Sequence, residues 1–178
     1  MKRNEDKGAT TLEEKQTKEK TINRVLLGLI VFLLAVIVIS SIFYLRSSRP
    51  AVQAKKEAVE IAKKYANLEE ADHFYWFTRK KTYFSLTGTN DKGKEIAVII
   101  PKSGEKVKVL DQTKGLTENE AKQTIATAHP EIQIEKAALG MYDDQPVWEV
   151  VGKETNGKLN YYLIGFESGD EVKTIKGI

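Results

Sequence analysis

The chain contains no cysteine. Disulfide staples, thiolate metal sites and a lipid anchor built on a thiol are therefore excluded. Histidine is scarce, with His73 and His129 alone among 178 residues. Neither has a Ser or a carboxylate placed beside it by a recognisable motif, so both read as structural or surface residues. A phosphate-cradling glycine loop, an HExxH, a GxSxG and a complete calcium loop are also missing. Asn90-Asp91-Lys92-Gly93 carries too few carboxylates to hold calcium. Charge of one sign does not dominate either, since 28 Lys and Arg stand against 25 Asp and Glu. A nucleic-acid binder concentrates its basic residues on one face, and no such concentration is present. These absences point away from an enzyme, a cofactor, a metal, a nucleic-acid partner and a small-molecule substrate.

One long hydrophobic run is present. Val25 to Leu45 holds 21 residues without a charge. A helix rises about 1.5 Å per residue, so this run matches the roughly 30 Å hydrocarbon core of a bilayer. A cleaved signal peptide has a shorter apolar region and a small-x-small cleavage site. Val38-Ile39-Ser40 is a poor version of that site, so the run reads as a retained single transmembrane helix. Lys and Arg flank it on both sides. Long domains translocate largely regardless of charge, which favours a cytoplasmic N-terminus and an extracytoplasmic C-terminal domain at the cell membrane. A cysteine-free domain fits export. Residues 1–24 are polar and mixed in charge, and they read as a disordered cytoplasmic tail. Only Arg46 to Arg49 separate the run from Pro50. Four extended residues reach about 15 Å, so the domain is expected to sit close to the bilayer.

The remainder reads as two tandem repeats, 50–112 and 113–178. Pro50 suits the first turn of a helix. Ala51, Ala54, Ala58, Ile61, Tyr65 and Leu68 follow as an apolar stripe at helical spacing. Strands are predicted at His73 to Thr78, Tyr83 to Thr89, Glu95 to Ile100 and Lys106 to Leu110. Turns separate them at 79–81, 90–93 and 102–105. The order then restarts. Thr117 with Glu120 forms a capping box, Leu116 with Ala121 a hydrophobic staple, and Pro130 ends the second helix. Further strands are predicted at Gln133 to Met141, Val147 to Gly152, Lys158 to Phe166 and Glu171 to Ile175. Gly88, Gly93 and Lys94 recur as Gly152, Gly157 and Lys158 at one offset. Ser103-Gly104 recurs as Ser168-Gly169 one residue further on. The fold class is α+β: a single transmembrane helix, then two repeats, each one helix on an antiparallel sheet.

His73-Phe74-Tyr75-Trp76-Phe77 departs from the alternation of a half-buried strand. Either a helix covers one face and the other repeat, or a loop, covers the second, or the segment is an exposed aromatic patch for a protein partner. Tyr75 and Phe77 are the partner-contact candidates on the second reading, on condition that they are exposed. Arg79-Lys80-Lys81 reads as a solvated turn, with contact to lipid headgroups or anionic wall polymers as the alternative. Asp143-Asp144 reads as a polar hairpin tip rather than an acid/base pair.

Leu116-Thr117-x-x-Glu120-Ala121, Trp148-Glu149-Val150, Tyr161-Tyr162-Leu163 and Ser168-Gly169-x-x-Val172 together resemble a PepSY domain. Many PepSY domains carry an Asp at the position that is Gly165 here. With the short tail and a weaker first copy, the chain from about residue 20 onward resembles the TseB-like (YpmB-like) regulators of cell-wall elongation in Gram-positive bacteria. The resemblance implies a cystatin-like repeat fold and a non-catalytic extracytoplasmic regulator of peptidoglycan synthesis. The implied partner is a penicillin-binding transpeptidase of the elongation machinery. The alternative it leaves open is a protease inhibitor or protease-directing factor at the cell surface.

Overall fold

A computed structural model describes residues 5–104 and 106–177, with side chains described at 26–41, 50–104 and 106–177. The start of the expected tail and Glu105 of the expected third turn lie outside the described residues. The chain divides into two compact units, Met1–Pro50 and Ala51–Ile178.

The first unit is the greater part of a long helix, α1, Glu5–Ala66. Pro50, expected to open a helix, lies inside it. Helix also replaces the expected disorder from Glu5 onward. Side chains 26–41 are exposed. Among the described residues no helix is long and apolar enough to cross a membrane. The transmembrane helix expected at Val25 to Leu45 is therefore withdrawn. The membrane-anchored part of the fold class, the single-pass localisation and the short tether to a bilayer go with it.

The second unit holds the end of α1, a second helix and two four-stranded antiparallel sheets. The first sheet is a meander of β1 (Leu68–Thr78), β2 (Thr82–Asn90), β3 (Glu95–Pro101) and β4 (Lys108–Asp111). A short 3-10 turn, Gln112–Lys114, leads to α2, Glu118–Ala128. The second sheet repeats the meander with β5 (Gln133–Tyr142), β6 (Gln145–Lys153), β7 (Leu159–Gly165) and β8 (Glu171–Ile175). Two antiparallel sheets, each associated with a helix, is thus the observed architecture.

Turn chemistry accounts for the repetition. Gly93 and Gly157 sit at hairpin tips with φ of 68° and 87°, where a side chain would be strained. The surrounding bonds also match. Asn90 N–H donates to the Lys94 carbonyl and Gly93 N–H to the Asn90 carbonyl. Glu154 and Gly157 donate to Lys158 and Glu154 in the same pattern. Gly88 lies on the second strand of its sheet, opposite Ala71 and Ile96. Gly152 lies on the second strand of the other, opposite Ile134 and Asn160. The first strand of each sheet carries a register shift near its start. The capping box of α2 forms as the residues dictate: the Thr117 side chain accepts from Glu120 N–H, and Thr117 N–H donates to Glu120 at 2.8 Å.

Register explains why β1 and β3 lack alternation. Phe74 lies opposite Leu86 and Trp76 opposite Phe84, while Leu86 faces Val98 and Phe84 faces Ile100. This face packs under Ala58 and Ala62 of α1. The helical stripe that does so is Ala54, Ala58 and Ala62, four residues apart, whereas Ala51 and Tyr65 of the expected stripe are exposed. Small side chains occupy the seam because they let the helix backbone lie close to the sheet. On the opposite face, Tyr75, Phe77, Tyr83, Ala97 and Ile99 join a second core with Leu139, Trp148, Val150, Tyr162 and Ile164 of the second sheet. Ala121 and Ile125 of α2 complete that core.

Gly140 of β5 lies directly against the Phe77 ring, and a Cβ there would collide with it. Gly140→Ala is expected to cost about 1–3 kcal/mol through overpacking. Urea unfolding checks this: the midpoint should fall with little change in slope.

Candidate interaction surface

Strand β1 makes the joint between the sheets. It hydrogen-bonds to β2 but sends its side chains to both sides of β5. Tyr75 meets Trp148 edge-on at 5.1 Å, and Trp148 lies on the face that α2 covers, its indole donating to the Leu116 carbonyl at 2.8 Å. Phe77 reaches the other face at Gly140. Tyr75 and Phe77 are thus core residues, 7% and 1% exposed. The condition of exposure attached to them as partner contacts is not met. The neighbouring Trp76 is 42% exposed.

The turn after β1 is also used internally. Arg79 Nε donates to Glu149 Oε2 on β6, and its guanidinium lies 4.4 Å over the Tyr161 ring. Lys80 pairs with Asp143 at 2.7 Å. Asp143 and Asp144 adopt positive φ at the β5–β6 hairpin tip, so they serve as a turn, and one of them as an anchor for Lys80. Lys80 and Lys173 both lie over Tyr142, at 5.1 and 5.2 Å.

Two surface features remain. The first is aromatic. Trp76 stacks edge-on against Phe84 at 4.9 Å, and Phe84 against Phe74 at 6.0 Å. The indole N–H donates to Thr78 at 3.2 Å. Trp76 is held by its neighbours yet keeps a large open ring, which is the usual anatomy of an interface anchor. Val109 of β4 and Val172 of β8 are exposed too, on the free edge strands.

The second is a groove of about 230 Å³ beside the start of α2, whose lining includes Asp72, His73, Tyr75, Glu95, Gln112 and Glu118. Tyr75 donates its hydroxyl to Glu118 Oε2 at 2.9 Å, and Lys122 pairs with Glu118 Oε1 at 2.6 Å. Burial, then the bond to Glu118, pushes the Tyr75 phenol far above its ordinary range. Burial opposes ionisation of Glu118, but the bonds from Lys122 and Tyr75 outweigh it and hold the carboxyl below its ordinary value. The sequence singled out Glu120 of the capping box rather than Glu118, which lies in the same first turn of α2. Nothing in the sequence signalled Gln112, which joins the groove only through tertiary packing.

His73 stacks on Tyr75 at 6.2 Å, and the His129 ring lies tilted against Tyr162 at 4.5 Å. Among the described residues, no group of three or more His, Asp and Glu could hold a metal ion.

Tyr75 makes stability fall in alkali. In the folded chain the phenol stays neutral, while in the unfolded chain it ionises near 10.0, so above that pH the unfolded state holds fewer protons and is favoured. Tyr75→Phe lacks this term. The stability advantage of wild type over Tyr75→Phe, read by urea unfolding, is expected to shrink as pH rises through 10.

Comparison with known proteins agrees with this architecture. The family described as "Cell wall elongation regulator TseB-like domain" matches residues 57–101, from the end of α1 through β3. The "Probable cell wall elongation regulator TseB" of Bacillus subtilis is 26% identical over 160 residues, covering 89% of this chain and 98% of that protein. The solved structure of the YpmB protein from Bacillus subtilis superposes with a TM-score of 0.60 at 23% identity, over 68% of this chain and 95% of that one. The chain is thus similar to TseB/YpmB-type proteins, by sequence over most of its length and by fold over 68% of it.

Proposed function

We propose that this protein is a non-catalytic regulator of cell-wall elongation that acts by binding a penicillin-binding transpeptidase. One observation carries the reading: the match to a probable cell-wall elongation regulator runs through nearly the whole of both chains. The titratable groups support it. Glu149, Asp143 and Glu118 are each engaged by a cation of the same chain, an arrangement suited to holding a shape rather than moving protons.

The contact is assigned to Trp76, on the segment that the family description matches. Tyr75 and Phe77, buried on either side of it in sequence, hold the strand that presents it. A large ring on a rigid strand contributes interface area at small cost in conformational entropy.

The full-length chain, carrying an affinity tag, should retain a transpeptidase from cell extracts that is marked covalently by fluorescent penicillin. Trp76→Ala is expected to reduce that retention roughly tenfold or more, with the fold intact because the side chain is half exposed. Recovery of no penicillin-labelled protein by the wild-type chain would overturn the reading.

A further inference from the structure

We propose that the groove beside α2 is a receptor for a cationic side chain, the ammonium of a lysine or the guanidinium of an arginine. Its lining brings together three carboxylates, Asp72, Glu95 and Glu118. Of these, Glu118 is paired with Lys122, while Asp72 and Glu95 are exposed and make no ion pair among the described residues.

Gln112 supplies the independent observation. It is 8% exposed and lines the same groove. Its Nε2 donates to the Leu116 carbonyl at 3.0 Å, and that carbonyl also accepts from Trp148. A carbonyl can face only donors, so this bond fixes which way the amide points. Gln112 Oε1 is then left buried without a hydrogen-bond partner. Buried acceptors are rarely left so, and each one calls for a donor. A carbonyl oxygen accepts and never donates, and three carboxylates line the same groove, so the complement is a group with several N–H donors and a positive charge. An anion would meet the same carboxylates and be repelled. The inference concerns only this groove, and it stands or falls apart from the identity of the partner at Trp76.

The test uses the full-length chain and three small probes: N-acetyl-lysine methylamide, N-acetyl-arginine methylamide and the uncharged N-acetyl-norleucine methylamide. NMR follows the Gln112 side-chain amide and the His73 ring. The two cationic probes are expected to shift both signals saturably, and norleucine to shift neither. Asp72→Asn combined with Glu95→Gln changes only exposed side chains, and it should weaken the cationic probes about tenfold. Gln112→Met should abolish the His73 response; if that variant does not fold, the Asp72 and Glu95 pair still decides. Equal shifts by all three probes, no shift by any, or shifts that leave the Gln112 amide unmoved would each overturn the proposal.

Discussion

The second unit depends on one strand belonging to two structures at once. By hydrogen bonding β1 is the edge of the first sheet, and by packing it is part of the core of the second. Tyr75 and Phe77 reach opposite faces of β5, and Arg79 continues the grip onto Glu149. An isolated four-stranded sheet with one helix buries a small core, and chains of about 60 residues are marginal on their own. Sharing β1 removes that weakness for both repeats, because the inner face of the first sheet becomes a wall of the second core. It also removes two exposed sheet edges, since β1 and β5 cover one another and leave β4 and β8 as the free ones.

Local chemistry was legible in the sequence wherever a turn or cap decides its own geometry. Gly93, Gly157 and the Thr117–Glu120 box act within a few residues, so their meaning survives without tertiary context. The sheet meanders follow from them, with strand ends extended by a few residues through pairing to neighbours. Three things were hidden because distant parts of the chain decide them. The aromatic run at 73–77 could be buried or exposed, and only the arrival of β5 and β6 shows that Tyr75 and Phe77 are interior while Trp76 is not. The α1 stripe centres on Ala58 and Ala62 with Ile61 at its flank, while Tyr65 faces away, because alanines let the helix approach the sheet closely. The run at 25–45 carried the expectation of a membrane span by length alone, whereas in the structure it is the middle of a much longer helix.

The candidate surface followed the same division. The capping box marked where α2 begins, but its carboxylate is Glu120, and Glu118 beside it had no signal of its own. Gln112 had none either, because a glutamine in a short turn has no pattern of its own. Its importance arises only when Leu116 and Trp148 close around it. Trp76 was within the segment singled out, but the strand's two-sided burial reversed which of its aromatics faces outward.

The two ion pairs at the β1–β2 turn differ in one respect that matters beyond the fold. Arg79 and Glu149 are 21% and 11% exposed, whereas Lys80 and Asp143 are 66% and 58% exposed. Mobile ions screen charges that water reaches and hardly touch those it does not, with a Debye length of about 3 Å at 1 M salt. The clasp between the repeats is therefore graded. At high ionic strength its outer contact loosens while its inner one holds.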